Sequence, residues 1–167
     1  MSTQPYLHSP LAARGQALDP RDAETLSIAG ADRVAQTLAM RENAQATPLH
    51  ALPALAGELG LGALYVKDEG FRLGLGSFKA LGGAYALMVL VREEASRQLG
   101  REVAISEVMS EEVRKVAAGM VFACATDGNH GRSVAQGAQL MGARAVIFVH
   151  AGVSQARADA IAAFGAE

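Results

Sequence analysis

The residues Gly74-Leu75-Gly76-Ser77-Phe78-Lys79-Ala80-Leu81-Gly82-Gly83 form a glycine-rich approach to a long apolar helix. Ser77 is a favourable N-cap residue, and the apolar residues that follow it keep helical spacing. Lys79 is therefore predicted in the first turn, where the helix dipole disfavours a cation by roughly 0.3–1 kcal/mol. Because local rules are broken mainly at functional sites, Lys79 is a candidate nucleophile or base. The competing interpretation is a lysine whose stem merely extends from the helix end to water.

A second segment reads Ala125-Thr126-Asp127-Gly128-Asn129-His130-Gly131. It follows a short apolar run at 120–124 and precedes a helix that Gly142 should end. A strand, a glycine turn and a helix start form the ligand-binding crevice of open α/β sheets. The free N–H groups of such a helix start suit a carboxylate or a phosphate. The alternative is that Asp127 or Asn129 only caps the helix.

The spacing of apolar residues, capping residues and glycines divides the rest of the chain into elements. The long helix is apolar all round over 84–91, which is typical of a buried segment. The alternation of strands and helices after residue 120 predicts a parallel sheet. The predicted helices cover Asp19 to about Asn43, 53–60, 78–100, 105–118, 130–141 and 154–164, and the predicted strands cover 64–67, 120–125 and 144–149.

Composition indicates an ordinary globular chain of 167 residues with 50% hydrophobic content and a formal net charge of −2. This balance argues against a nucleic-acid partner, and the run at 84–91 is far shorter than the ~20 residues of a membrane span. The start lacks signal-peptide features, and the one cysteine, Cys124, is interpreted as a core residue. We therefore expect a cytoplasmic protein with no membrane partner. No metal site is expected, because His8, His50 and His150 lack ligand spacing.

In this order, the two segments resemble the N-terminal part of the diaminopropionate ammonia-lyase family. That family lies within the fold-type II pyridoxal-phosphate enzymes, which include threonine dehydratase and the tryptophan synthase β-subunit. Asp127 stands where the dehydratases usually carry serine, which favours the ammonia-lyases. The matching stretches are Thr47-Pro48-Leu49, Val66-Lys67-Asp68-Glu69, Gly74 to Gly83, Ala125 to Gly131, Ser133-Val134-Ala135 and Gly142-Ala143-Arg144-Ala145.

The resemblance implies an α/β fold, an open parallel sheet with helices on both faces in the fold-type II architecture, incomplete at the C-terminus. Residues 1–101 would form the N-terminal part of the larger cofactor-binding domain, and residues 102–167 would begin the smaller α/β domain. The helix at 154–164 should lead into another strand, yet none is apparent after it. The phosphate-binding loop and the partner of the pyridine nitrogen would come later still. We therefore expect an N-terminal fragment with little activity alone, from an enzyme that is a homodimer at full length.

The resemblance also implies roles for individual residues. Lys79 would form the internal aldimine with pyridoxal 5'-phosphate, and Asn129 would hydrogen-bond the phenolic oxygen of the cofactor ring. The loop of Asp127, Gly128, Asn129 and His130 would hold the carboxylate of a small amino-acid substrate. Lys79 would remove the α-proton of the L-isomer and Asp127 that of the D-isomer. The reaction would be elimination of ammonia from 2,3-diaminopropionate, giving pyruvate and ammonia.

Two other functions stay open on the sequence alone. One is a serine or threonine dehydratase-like lyase with the same cofactor. The other is a non-catalytic remnant that keeps the fold signals without the chemistry.

Overall fold

The computed structural model describes residues 16–167, and contacts divide the chain into two compact units, Met1–Asp32 and Arg33–Glu167. His8 and the start of the chain lie outside the described residues. The division at 101 and 102, which concerns the lobes of a larger enzyme, stays a prediction. Of the described residues, none belongs to a helix that is both long and apolar enough to cross a membrane.

The prediction of a single helix from Asp19 to about Asn43 is wrong, since the chain forms two helices, α1 (Pro20–Thr25) and α2 (Ile28–Ala39). Asp19 caps α1 as expected, accepting from the Arg21 N–H at 2.9 Å. The break follows from Ser27, whose hydroxyl accepts from the Gly30 N–H at 3.1 Å. A serine that bonds the backbone three residues ahead starts a new helix instead of continuing the old one.

A small antiparallel sheet precedes the lysine segment. Strand β1 (Leu49–Ala51) pairs with β2 (Tyr65–Lys67), with Leu49 opposite Lys67. The helix α3 (Pro53–Glu58) connects them, and the chain then turns at Gly60 with φ +65°. The expected helix at 53–60 and the strand at 64–67 are confirmed. Strand β1 was not predicted from the sequence.

The central helix α4 spans Ala80–Leu99 and ends at Gly100 in the left-handed conformation, as expected. The helix expected over 105–118 is instead a 3-10 turn, Ile105–Glu107, followed by α5 (Glu111–Ala117). Ser110 causes the break, because its side chain accepts from the Val113 N–H and caps α5.

The last third of the chain alternates strands and helices as predicted. It contains β3 (Val121–Ala125), α6 (Asn129–Met141), β4 (Arg144–Phe148) and α7 (Gln155–Ala162). Strands β3 and β4 are parallel, with Val121 opposite Arg144 and Ala125 opposite Phe148. The expected parallel sheet and α/β class are confirmed.

No strand follows α7 among the described residues, as expected, but the last of these residues bonds to β4. The Glu167 N–H donates to the Ala145 carbonyl at 2.9 Å, and the Ile147 N–H donates to the Glu167 carbonyl at 2.7 Å. These two bonds flank Val146 and are the pattern of a parallel bridge. Glu167 therefore adds to the free edge of β4, on the side away from β3.

Helices α4 and α6 pack closely through small residues. A Cβ at Gly83 would lie 2.6 Å from the Ser133 hydroxyl, and a Cβ at Gly137 would lie 2.8 Å from the Ala84 Cα. The fully buried Ser133 hydroxyl donates to the Ala80 carbonyl at 3.3 Å and accepts from the Ala84 N–H at 3.1 Å. The numbers of the contacting residues increase together along the two helices. Helices α4 and α6 are therefore parallel, and their N-terminal ends lie on the same side.

Candidate functional site

Lys79 lies at the start of α4, two positions closer to the N-terminus of the helix than predicted. It occupies the N-cap position itself, with φ −61° and ψ −16°, and its side chain is exposed. Ser77 precedes the helix in a tight turn, with its hydroxyl accepting from the Lys79 N–H at 3.2 Å and its carbonyl from the Ala80 N–H at 3.1 Å. The assignment of Ser77 as N-cap is therefore wrong. The lysine still stands at the positive end of the helix dipole.

The approach to Lys79 is a loop with unusual backbone conformations. The 3-10 segment Glu69–Gly74 is kinked at Arg72 and Leu73, and Leu73 has φ +48°. Gly74 and Gly76 follow with φ +72° and +69°. Glycine adopts this region at little cost, whereas leucine does not, so surrounding contacts must hold the loop in place.

A polar network fixes the first half of this loop to the small sheet. The Arg72 guanidinium donates to both Glu69 carboxylate oxygens at 2.7 Å, and the Thr47 hydroxyl donates to Glu69 Oε1 at 2.8 Å. The hydrogen bond from Arg72, followed by that from Thr47, lowers the pKa of Glu69 from its ordinary value near 4.5 to about 2. Glu69 is therefore ionised at neutral pH, and its negative charge balances the positive charge of Arg72.

The second segment forms the expected turn between β3 and α6, but neither Asp127 nor Asn129 caps the helix. Gly128 is the N-cap residue, with φ +158° and no side chain. The Thr126 hydroxyl replaces a cap, because it accepts from the N–H groups of Gly128 at 3.1 Å and Gly131 at 3.2 Å. Sequence reasoning missed Thr126, although a threonine that bonds the backbone two residues ahead is a known turn signal.

The capping role of Thr126 leaves the neighbouring polar side chains available. Lys79, Asp127 and Asn129 are all exposed, and within residues 16–167 their side chains have no hydrogen-bond or ion-pair partner. The Asp127 carbonyl accepts from the Arg157 guanidinium at 3.4 Å, which ties the turn to α7.

A cavity of about 680 Å³ lies along the exposed side of α4. Lys79 and His130 are its two basic lining residues, whereas Asp127, Gly128 and Asn129 are not among the residues that line it. The structure thus brings Lys79 and His130 to one cavity and leaves the other three at the turn beside His130. The full lining comprises Phe78, Lys79, Leu81, Gly82, Gly83, Ala86, Leu87, Leu90, Phe122, Ala123, Cys124, His130 and Val134.

Cys124 lies on the wall of this cavity and is half-buried. Burial raises the pKa of its thiol, so the neutral form predominates. An unactivated thiol of this kind is not a nucleophile, as the sequence indicated. The strand that carries Cys124 is not fully buried, however, since Val121, Ala123 and Ala125 of β3 are exposed. Among residues 16–167, no three His, Cys, Asp or Glu side chains form a group that could hold a metal ion.

The fold and the site together define the class of protein to which the chain belongs. They describe an α/β protein with a cavity along the exposed side of α4 and a primary amine on the cavity wall, which suits covalent binding of a carbonyl compound. A family profile described as pyridoxal-phosphate dependent enzyme matches residues 40–167. The chain therefore belongs to the pyridoxal-phosphate-dependent enzymes, as the sequence motifs implied.

Comparison with individual proteins gives a more specific relationship within this family. The chain is 47% identical over 123 residues to the diaminopropionate ammonia-lyase of Escherichia coli K12, which is 72% of this chain and 29% of that protein. It also resembles the crystal structure of the E. coli enzyme in complex with D-serine, with 43% identity and a TM-score of 0.72 over 84% of this chain and 35% of that chain. The E. coli structure with an aminoacrylate-PLP azomethine reaction intermediate matches with 40% identity and a TM-score of 0.71, over 84% of this chain and 34% of that chain. The chain thus spans about a third of the length of these relatives.

Proposed function

We propose that this chain contributes the lysine-bearing part of a carbon–nitrogen lyase that eliminates ammonia from 2,3-diaminopropionate to give pyruvate and ammonia. The observation that carries the proposal is the placement of Lys79 on the wall of a cavity shared with His130. The crossing of α4 and α6 secures this placement, since it holds both helix starts on the same side. The kinship to diaminopropionate ammonia-lyases supports the choice of substrate.

The residues present fit pyridoxal phosphate. The exposed amine of Lys79 is free to bind an aldehyde, and a cavity of about 680 Å³ accommodates a substituted pyridine ring. The lining beside the amine is mostly apolar, which suits the faces of an aromatic ring. When bound, the cofactor supplies an electron-accepting ring that stabilises negative charge on the substrate.

The chain's own residues have separate tasks in this proposal. In its neutral form, the Lys79 amine would accept the α-proton of the L-isomer. The Asp127 carboxylate, which has no partner within residues 16–167, would accept the α-proton of the D-isomer from the opposite face. The Asn129 amide would donate to the phenolic oxygen of the cofactor ring.

The start of α6 suits the substrate carboxylate. The Thr126 hydroxyl occupies the N–H groups of Gly128 and Gly131. This leaves the N–H groups of Asn129 and His130 for the substrate, at the positive end of the helix dipole. The proposal also includes a homodimer at full length and a cytoplasmic location, both of which follow from the sequence interpretation.

Reductive trapping with borohydride tests the lysine assignment. The chain has only three lysines, Lys67, Lys79 and Lys115, so a trapped pyridoxal group can be mapped by mass spectrometry. Lys115 is the internal reference, because it lies far along the sequence, is 74% exposed and pairs with Glu111 at 2.9 Å. We expect the label mainly at Lys79, and its loss from that position in Lys79→Arg but not in Lys115→Arg. Equal labelling of Lys79 and Lys115 would contradict the proposal.

Substrate preference can be measured in the same experiment. Adding 2,3-diaminopropionate before the reductant should lower the ratio of label at Lys79 to label at Lys115 more than serine or threonine does. All three amino acids consume free cofactor, so the Lys115 reference corrects for that loss. A larger effect of serine or threonine would favour a dehydratase instead.

A further inference from the structure

Arg132 connects the two halves of the candidate site. It lies in the first turns of α6, and its Nη1 donates to the Leu75 carbonyl at 3.1 Å across the helix crossing. Leu75 is 2% exposed and stands four residues before Lys79. Among residues 16–167, this is the only side-chain hydrogen bond between the glycine loop, 74–76, and α6.

The position of Arg132 is unfavourable for folding alone. A cation near the start of α6 opposes the helix dipole. Its Nε is buried and, within residues 16–167, has no hydrogen-bond partner, so no hydrogen bond offsets the cost of its desolvation. An apolar side chain would avoid both costs, which indicates that the contact with Leu75 serves something other than stability.

The loop that Arg132 contacts is held by the burial of Leu73 and Leu75 in a small hydrophobic cluster, but it has few polar contacts of its own. Leu75 lies between Gly74 and Gly76, which have φ +72° and +69°, and its own N–H bonds only locally, to the Arg72 carbonyl at 3.0 Å. The Glu69 network holds the loop from the side of the small sheet, before the kink at Arg72. Beyond the kink, the Arg132 guanidinium is the polar anchor on the way to Lys79.

We propose that Arg132 is a positioning residue for Lys79. By fixing the Leu75 carbonyl to the start of α6, it sets the distance between the lysine amine and the turn of Asp127 to His130. The part of this inference that concerns Lys79 reactivity rests on the proposed function. The part that concerns the order of the loop does not.

Hydrogen exchange tests the order of the loop without any cofactor. In Arg132→Met, amides of the peptide covering residues 74–81 should exchange about tenfold faster or more, because a hydrogen bond from a charged donor is lost. Arg132→Lys should give a smaller increase, since it keeps a charged donor but not the planar fork. The matched control is Arg97→Met, which removes an exposed arginine of α4 and should leave this peptide unchanged.

Borohydride trapping of pyridoxal phosphate then separates positioning from a purely structural role. The ratio of label at Lys79 to label at Lys115 should fall about tenfold in Arg132→Met and partly recover in Arg132→Lys. Faster loop exchange with an unchanged label ratio would overturn the proposal. Faster exchange spread equally over α5 and β1 would also overturn it, because it would indicate global destabilisation. Should Arg132→Met fail to fold, the same two measurements on Arg132→Lys decide the matter.

The two proposals can fail separately. If the unsubstituted chain shows no preference for Lys79 over Lys115, the proposed function fails even when loop exchange responds to Arg132. If the unsubstituted chain labels Lys79 specifically and neither the exchange nor the label ratio responds to Arg132→Met, only the positioning role fails.

Discussion

The two sides of helix α4 have similar apolar residues but different surroundings. One side, with Ala80, Ala84 and Leu87, is buried, and its first two turns pack closely against α6. The other side, with Gly82, Ala86 and Leu90, is exposed and lines the cavity, and the buried residues Gly83 and Leu87 also reach the edge of that cavity. The difference shows that an apolar stretch specifies where contact is favourable without specifying whether a partner is present.

The contrast also explains how the site is built. The packed side immobilises α4 and α6 relative to each other, so that Lys79 and the turn before α6 keep a fixed separation. The open side leaves the wall of the cavity accessible to a ligand. The helix is therefore a rigid support on one side and the proposed binding surface on the other.

The largest expected difference between the two sides comes from a matched pair of leucines. Leu87 is 5% exposed and Leu90 is 48% exposed, three residues apart on the same helix. Leu87→Ala should reduce the free energy of unfolding by about 2–5 kcal/mol, because it leaves a cavity in the core. Leu90→Ala should cost less than about 1 kcal/mol, since less apolar surface is lost. Urea denaturation measures both, and similar values would show that the two sides do not differ.

A pair of glycines sharpens the same comparison. Gly83→Ala places a methyl group 2.6 Å from the Ser133 hydroxyl, so we expect a loss of about 1–3 kcal/mol from overpacking. A Cβ at Gly82 meets nothing within 4 Å, so Gly82→Ala should gain about 0.5–1 kcal/mol from helix propensity. Opposite signs of the change in thermal midpoint would support the assignment of the two sides. Stabilisation by both alanines would contradict it.

The buried Ser133 hydroxyl, at the crossing of α4 and α6, should contribute less to the free energy of unfolding than the packing at Leu87 and Gly83. Ser133→Ala removes a group that joins the Ala80 carbonyl to the Ala84 N–H, and we expect a loss of about 1–2 kcal/mol. Ser154→Ala is a suitable control, because Ser154 stands before α7 without a side-chain capping bond. Chemical denaturation of the two variants decides whether the hydroxyl at the crossing matters.

The smallest expected effect concerns pH. The pKa of Glu69 is lowered to about 2 in the folded chain, from an ordinary value near 4.5. Its stabilising contribution is therefore complete above pH 4.5 and is lost as the pH falls towards 2. The thermal midpoint of Glu69→Gln should depend less on pH in this window than that of the unsubstituted chain. Because the pKa of Glu94 is also lowered to about 2, the double variant with Glu94→Gln should depend on pH still less.

The sequence predicted the elements with strong periodicity and clear ends. Strands β3 and β4, helix α6 and the end of α4 at Gly100 all agree with the structure, because apolar runs and glycines mark them locally. The family and its cofactor were likewise accessible from the two quoted segments. The roles of Lys79, Asp127 and Asn129 stay predictions until labelling and turnover are measured.

The features that the sequence did not reveal depend on contacts between distant residues. The link from Arg132 to Leu75 spans 57 positions, and the bridge from Ser133 to Ala84 spans 49. Local rules failed where two residues compete for one role, as when Thr126 provides the bonds expected from Asp127 or Asn129. They also failed at the serines that divide the helices expected over 19–43 and 105–118.

The bridge that Glu167 makes with β4 has a practical consequence for fusion proteins. A peptide joined after Glu167 would leave the molecule beside Ile147 and in the direction of β4. A tag of alternating apolar residues would be drawn into ladder bonds along Ile147 to Val149, whereas a proline-rich spacer could not supply the N–H groups for them. For immobilisation or fluorescence labelling, the composition of the first few linker residues would therefore decide whether the attachment stays detached from the sheet.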